Sequence, residues 1–448
     1  MRPAITRIVH ISDCYPPRVG GIETQVHDLA ARQARAGHEV HVLTATGAPG
    51  APAGAETVAR SVSAPAGGPA GRAGEPGRAG EPGRAGEPGR AGEAQVHRFA
   101  SRVTFGLPVH PREATLLRRA LAEVKPDVVH VHVGVVSPFA YDGARAARAL
   151  GLPLAMTWHC MLDGVVPLLR VGAALAGWRR SPAALSAVSA VAGRRVAEVM
   201  AVPQEEVLVV PNGLDVTAWA PALMSTGGPG GRWAGAPAET PLPPDGPLRV
   251  VATQRLAPRK RPVPLVRIIN QVHERLGRDN AGQPRVHLTL IGAGPTDRAV
   301  HAEISRLGLQ DVVEVTGKLP RPEVKARYRD EHVFIAPARL EAFGIAALEA
   351  RAAGLVVVAG RGTGVSEFVR DGVDGLLTPD GSDGLRDAAA DEALADALVR
   401  LAAPDGPLRD MLAHNRSTPP AADWADVLAA ADALYARAQD LRTVAPGR

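Results

Sequence analysis

Aromatic residues make up only 3% of this 448-residue chain, and lysine is nearly missing, with four occurrences at 125, 260, 318 and 325. So thin an aromatic complement gives nucleobases no row of side chains to stack on, and no basic run is interleaved with aromatics. The net charge of +5 and pI near 9.6 therefore do not describe a nucleic-acid partner. Arginine in place of lysine, with 48 glycines and 40 prolines, reads instead as GC-rich coding. Cysteine is scarce too. Cys14 and Cys160, with no C-x-x-C and no histidine cluster, make neither a disulfide framework nor a metal site. No apolar run reaches the roughly 18 residues of a membrane span. The start, MRPAITRIVHISDCYPP, lacks the long apolar core of a signal peptide. The expected location is cytoplasmic.

What is present is strand then helix, repeated. TRIVHIS (6–12) precedes a Gly-Gly turn, and GIETQVHDLAARQARAG sets Ile22, Val26, Leu29 and Ala30 on one helical face, ended by Gly37. HEVHVLTA, DVVHVHV, LPLAMTW, ALSAVS and VLVV follow as strands. LRVVATQ, VHLTLIG, VVEVTG, HVFIAPA, VVVAG and GLLT form a second series. Such alternation predicts an α/β chain of parallel sheets covered on both faces. The expected organisation is a first unit over 1–215 and a second over 248–415, joined by a Gly/Pro linker at 216–247. A helix at 420–441 is free to pack back on the first unit. Within 46–93 the hexapeptide GRAGEP recurs without apolar residues and reads as a disordered insertion.

The strand ends carry the polar residues of interest, because ligands of such folds sit at the carboxyl ends of the strands. Gly20 and Gly21 precede a helix whose free amides suit an anion. In TQRLAPRKRP, Arg255 and Lys260 leave a strand five residues apart and can converge on a diphosphate. In APARLEAFGIAALEARAAG, Glu341 precedes a predicted helix that begins at Phe343 or Gly344, and Glu349 lies within it. The free amides of Phe343, Gly344, Ile345 and Ala346 face a phosphate position. Either oxygen of Glu349 can accept from sugar hydroxyls.

These stretches, with LSAVSAVA, VVPNGLD and DGVDGLL, resemble glycosyltransferase family 4 over roughly 5–215 and 248–380. The resemblance implies the GT-B fold, two Rossmann-like domains facing across a cleft, and a retaining hexosyl transfer from a nucleotide diphosphate sugar to an acceptor hydroxyl. It assigns Arg255 and Lys260 to the donor diphosphate, Glu349 to the ribose and Glu341 to the neighbourhood of the donor sugar. It also assigns the amides of Gly344 and Ile345 to phosphate, with Gly20 and Gly21 opposite. His159, in TWHC, stands at the place of a family histidine near the reacting sugar carbon. Catalytic roles are thus expected of Glu341, His159 and Lys260. No Asp-x-Asp is present, and neither a metal nor a cofactor is expected. The chain departs from the family pattern at Gln254 and Arg261, where glycine is usual. A nucleotide-sugar epimerase of the same fold, or a binder without catalysis, are the alternatives. The apolar run VVPLLRVGAALAGWRR (165–180) adds contact with a membrane inner face or a lipid-linked acceptor as an option.

Overall fold

The computed structural model describes residues 6–18, 20–48, 56–60, 92–99, 102–104, 107–109, 113–220, 241–379 and 387–444. Residues 61–91, which hold the hexapeptide repeat, and 221–240 of the expected linker lie outside them. Packing divides the chain into two units. One comprises Met1–Val188, Ala192–Gly213 and Ala425–Arg448, and the other Leu214–Trp424 with Ser189–Val191.

In the first unit the strands are β1 (Arg7–Ser12), β2 (Glu39–Thr44), β3 (Glu56–Arg60), β4 (Gln95–Phe99), β5 (Arg102–Thr104), β6 (Leu107–Val109), β7 (Val128–Val133), β8 (Leu154–Trp158), β9 (Ala183–Ala187) and β10 (Val207–Val209). Helices α1 (Gly21–Arg35), α2 (Glu113–Val124), α3 (Pro138–Ala149), α4 (Val166–Leu175) and α5 (Ala190–Met200) are threaded between them. The eight-stranded sheet runs β10-β9-β8-β7-β1-β2-β4-β3, parallel except for β3 against β4, and β5 and β6 form a separate hairpin. Every residue of β7 is buried, as a central parallel strand with both faces covered requires. The expectation of disorder across 46–93 is corrected at β3. Its five residues pair antiparallel with β4 from Glu56↔Phe99 to Arg60↔Gln95, an edge addition made through main-chain hydrogen bonds.

The second unit has β11 (Leu248–Thr253), β12 (Val286–Ile291), β13 (Val313–Gly317), β14 (Val333–Ala336), β15 (Val356–Gly360) and β16 (Gly375–Thr378). Its helices are α6 (Val216–Trp219), α7 (Pro262–Leu276), α8 (Asp297–Leu307), α9 (Arg321–Tyr328), α10 (Ile345–Ala352), α11 (Asp387–Ala402) and α12 (Leu408–Ser417). Part of the expected linker is thus the short helix α6. The sheet order is β13-β12-β11-β14-β15-β16, all parallel. The chain extends the sheet one way from β11, then returns to β14 on the other side. Between these two strands lies the switch point at which doubly wound sheets open a crevice at the carboxyl edge. Helix α13 (Trp424–Val444) falls in the first unit by packing and buries Val427, Ala431, Leu434, Tyr435 and Ala438.

Candidate functional site

The two loops that leave β11 and β14 flank the switch point of the second unit, and they carry most of the charged candidates. The first is braced by main chain. Gln254 N–H donates to the Ile291 carbonyl at 2.9 Å, and Leu256 N–H to the Ala293 carbonyl at 3.1 Å. The glycine cluster after β12 makes this approach possible, since a Cβ on Gly294 would lie 2.3 Å from the Leu256 carbonyl oxygen. Along this loop Arg255 is exposed and, among the described residues, forms no ion pair. Lys260 closes the loop and ion-pairs through Nζ with Oε2 of Glu341, the two side chains 24% and 19% exposed. Arg261, where the family favours glycine, has φ 57°, the left-handed region glycine occupies without strain. Its guanidinium holds that conformation by gripping both carboxylate oxygens of Asp391 in α11 at 2.6 and 3.0 Å. Arg261 is therefore a brace rather than a ligand.

The loop after β14 ends at Gly344, which takes φ 91° immediately before α10. The first-turn amides of Ile345, Ala346 and Ala347 have no helical carbonyl to donate to, and they stand at the positive end of the helix dipole. Phe343 is buried against Phe368 with ring centroids 5.4 Å apart, so it anchors the loop instead of meeting a ligand with its side chain. Glu349 is buried in α10, and Arg321 Nη2 donates to its Oε1 at 2.6 Å. Burial pushes the Glu349 carboxyl above the ordinary glutamate range, while Arg321 pulls it down. The expectation that both oxygens are open to hydroxyls is corrected by this pair: Oε1 is committed to Arg321, and Oε2 remains. Arg321 also lies over the Trp219 ring, 5.5 Å from its centroid, and Tyr328 stands beside Trp219 at 5.9 Å. Sequence reasoning missed Arg321, Trp219 and Tyr328. RPEVKARY reads as a solvated charged helix, and only the fold brings it to Glu349.

In the first unit Gly20 caps α1 in an extended conformation, and Gly21 is the helix's first residue. The Glu23 carboxylate lies over Gly20, within 2.3 Å of where a Cβ would be, so an anion arriving here must displace a like charge. Asp13, after β1, accepts from the amides of Phe139 and Ala140 at 3.1 and 3.2 Å and so caps α3. His159 follows β8, and its Nε2 lies 3.0 Å from His132 Nδ1. Burial, set against a hydrogen bond with Asn212, pushes His159 down to about 4, so its ring is neutral at pH 7. The reading that the sequence holds no histidine cluster is corrected here. β1 pairs with β7 in the register His10↔His130, and one ring nitrogen from each of His10, His130 and His132 lies within 4.8 Å of the other two. Each of these nitrogens already faces a side-chain partner.

A cavity of about 370 Å³ lined by Arg249, Arg285, His287 and Asp311 lies at the amino ends of β11 and β12. That is the edge opposite the switch-point loops, and it holds none of the residues above.

The family "Glycosyltransferase Family 4" matches residues 19–218, and "Glycosyl transferases group 1" matches 238–413. D-inositol 3-phosphate glycosyltransferase of Arthrobacter sp. is 30% identical over 280 residues, covering 59% of this chain and 61% of that protein. The GDP-mannose-dependent alpha-(1-6)-phosphatidylinositol monomannoside mannosyltransferase of Mycolicibacterium smegmatis is 35% identical over 133 residues, 28% of this chain and 33% of its own. The match thus spans less than two thirds of either relative's length. Among solved structures, sucrose-phosphate synthase from Thermosynechococcus elongatus superposes with TM-score 0.64 at 18% identity, covering 96% of this chain and 98% of that one. A likeness at that identity establishes the two-domain GT-B fold.

Proposed function

The chain belongs to glycosyltransferase family 4, and from that premise we propose that it moves a hexosyl group from a nucleotide diphosphate sugar to an acceptor hydroxyl with retention. The observation that carries the reading is the Lys260–Glu341 pair set before the unpaired amides of α10 at the switch point of the second unit. There Lys260 and Arg255 neutralise the diphosphate, and the α10 amides hold its oxygens without reorganisation. Glu349 Oε2 takes a ribose hydroxyl, while Arg321 opposes the upward push of burial on that carboxyl. Glu341 orients Lys260 and lies by the donor sugar. His159 meets the transferred sugar as a neutral ring.

In the proposed step the bond from the anomeric carbon to the leaving phosphate oxygen breaks, and the acceptor oxygen adds on the same face. The acceptor's proton passes to the departing diphosphate. No protein carboxylate is glycosylated, and no divalent metal enters this proposal. The test is product analysis with a panel of UDP-, GDP- and ADP-sugars. The expected outcome is release of nucleoside diphosphate coupled to glycoside formation, and Glu349→Ala should raise the donor KM about tenfold or more. An altered sugar without acceptor consumption, or normal kinetics in the variant, would refute the assignment.

We further propose that the acceptor is lipid-linked and that α4 touches an anionic bilayer. Only Ala173 of this apolar helix is buried, while Leu168, Val171 and Leu175 are 74%, 58% and 85% exposed beside the exposed Arg170 and Arg179. Trp178, expected among the membrane-facing groups, is instead buried beneath Arg148, whose guanidinium carbon is 4.6 Å from the ring centroid. Flotation with vesicles rich in anionic phospholipid should carry the protein up at low salt, and Leu168→Ser with Leu175→Ser should abolish it. Equal recovery with neutral vesicles, or flotation unchanged in the double variant, would count against the contact.

A further inference from the structure

Inside the first unit a file of polar side chains runs from His159 across the sheet, and nothing in donor binding uses its inner members. Nε2 of His159 is 3.0 Å from Nδ1 of His132, whose Nε2 is 2.9 Å from Nδ1 of His10. Nε2 of His10 is 2.7 Å from Gln33 Oε1, and Gln33 Nε2 donates to the Tyr435 hydroxyl at 2.9 Å. That hydroxyl is 3.0 Å from His130 Nδ1, and His130 Nε2 is 2.7 Å from Thr157 Oγ1. Thr157 meets Ser186 at 2.6 Å, and Ser186 donates to the Met156 main-chain carbonyl at 3.1 Å.

Two members fix the direction of every proton. An amide oxygen can only accept and an amide nitrogen only donate, and a main-chain carbonyl only accepts. With Gln33 presenting oxygen to His10, a neutral His10 must carry its proton on Nε2 and accept at Nδ1. His132 and His159 then follow in turn, each protonated on Nε2. With Gln33 presenting nitrogen to Tyr435, that hydroxyl gives its proton to His130 Nδ1. His130 gives to Thr157, Thr157 to Ser186, and Ser186 to the carbonyl. Both arms close with one proton per contact and none left over. All four rings are the same tautomer.

We infer that this file is a tautomer lock, in which His132, His10, Gln33 and Tyr435 are positioning residues that hold the His159 ring protonated at Nε2 and bare at Nδ1. The only hydrogen bond His159 can then offer a sugar hydroxyl is as acceptor at Nδ1. The file is not a proton shuttle, because its inner end is a carbonyl that takes no proton. Nor does it need an ion, since a metal between His10 and His132 would displace the hydrogen bond already joining them. The part played in catalysis rests on the proposed transferase reading, whereas the lock itself does not.

The test pairs imidazole nitrogen NMR of histidine-labelled protein, His159 assigned by its loss in His159→Ala, with steady-state kinetics. In the parent protein His159 should show a protonated Nε2 and an unprotonated Nδ1 without any substrate. Gln33→Leu removes the acceptor from His10 and should split His159 between two tautomers. Its kcat should fall about threefold or more, with the donor KM within twofold. Gln33→Glu, when ionised, still presents only acceptor oxygens to His10 and should keep both the His159 tautomer and kcat. Tyr435→Phe, which frees Gln33 to turn over, serves where Gln33→Leu does not fold. A proton on His159 Nδ1 in the parent protein overturns the lock, as does a stoichiometric metal that survives dialysis. Equal kcat loss in Gln33→Leu and Gln33→Glu overturns it too. A changed tautomer with unchanged kcat overturns the positioning role while leaving sugar transfer standing.

Discussion

Lys260→Ala is expected to lower kcat by about 10²- to 10³-fold, the usual loss when one preorganised donor to a developing anion is removed. The chain has only four lysines, and this one is held on a loop braced through main-chain hydrogen bonds to the segment after β12. Its ammonium therefore needs little rearrangement to meet a leaving diphosphate. A thermal melt of the variant separates this loss from unfolding, since removing one partner of a pair whose side chains are only 24% and 19% exposed also costs stability. Glu341, left without its cation, adds repulsion against the diphosphate and should raise the donor KM as well. Lys260→Ala with Glu341→Gln separates the two effects. If Glu341 serves only to hold Lys260, the double variant should be no slower than Lys260→Ala alone. A kcat within tenfold of the parent protein for Lys260→Ala would remove the central cation from the proposed site.

The second large effect is acid lability of the first unit. Burial pushes both His10 and His159 down to about 4, and pushes His130 and His132 down as well. In an unfolded chain these rings bind protons near pH 6.5. Between that pH and about 4, unfolding therefore takes up protons, and stability present above pH 6.5 is lost as pH falls. For His10 and His159 the loss between pH 7 and pH 5 is about 2 kcal/mol each, and the other two rings add in the same direction. Against a typical domain stability of about 5–15 kcal/mol this is large. Urea unfolding at the two pH values should show a much lower midpoint at pH 5, with hydrogen exchange locating the opening in the first unit. In the second unit Asp374 is held well below the usual carboxylate range by Arg370 and Arg351 despite its burial, and its contribution persists to lower pH. A first unit equally stable at pH 7 and pH 5 would mean that its rings titrate in the fold as they do unfolded.

Much of the fold was legible because central parallel strands must be apolar throughout. Runs such as DVVHVHV and VVVAG stand out against their Gly- and Pro-rich surroundings. ETVAR and QVHRF did not, being short and half polar, and only the pairing of β3 with β4 in the finished sheet reveals the first of them. In the candidate site, Lys260 and Glu341 could be found because each follows a readable strand, so the topology alone brings them to one edge. Arg321 could not, since its pairing with Glu349 depends on where α9 lands. The histidine file left one faint trace. His130 and His132 alternate along β7 and so share a face, but β1 lies beside β7 only by the strand order of the finished sheet.

Tyr435 has a consequence for how the chain is made. The segment Ala425–Val444 emerges about 210 residues after Gly213, roughly 10–40 s later at ordinary rates of synthesis. Through that interval the ribosome carries an amino-terminal unit whose sheet is complete but whose Gln33 amide and His130 ring still lack the hydroxyl that joins them. Nascent chains stalled before residue 425 should accordingly be cut by protease within the first unit, and those stalled after the helix has cleared the exit tunnel should resist.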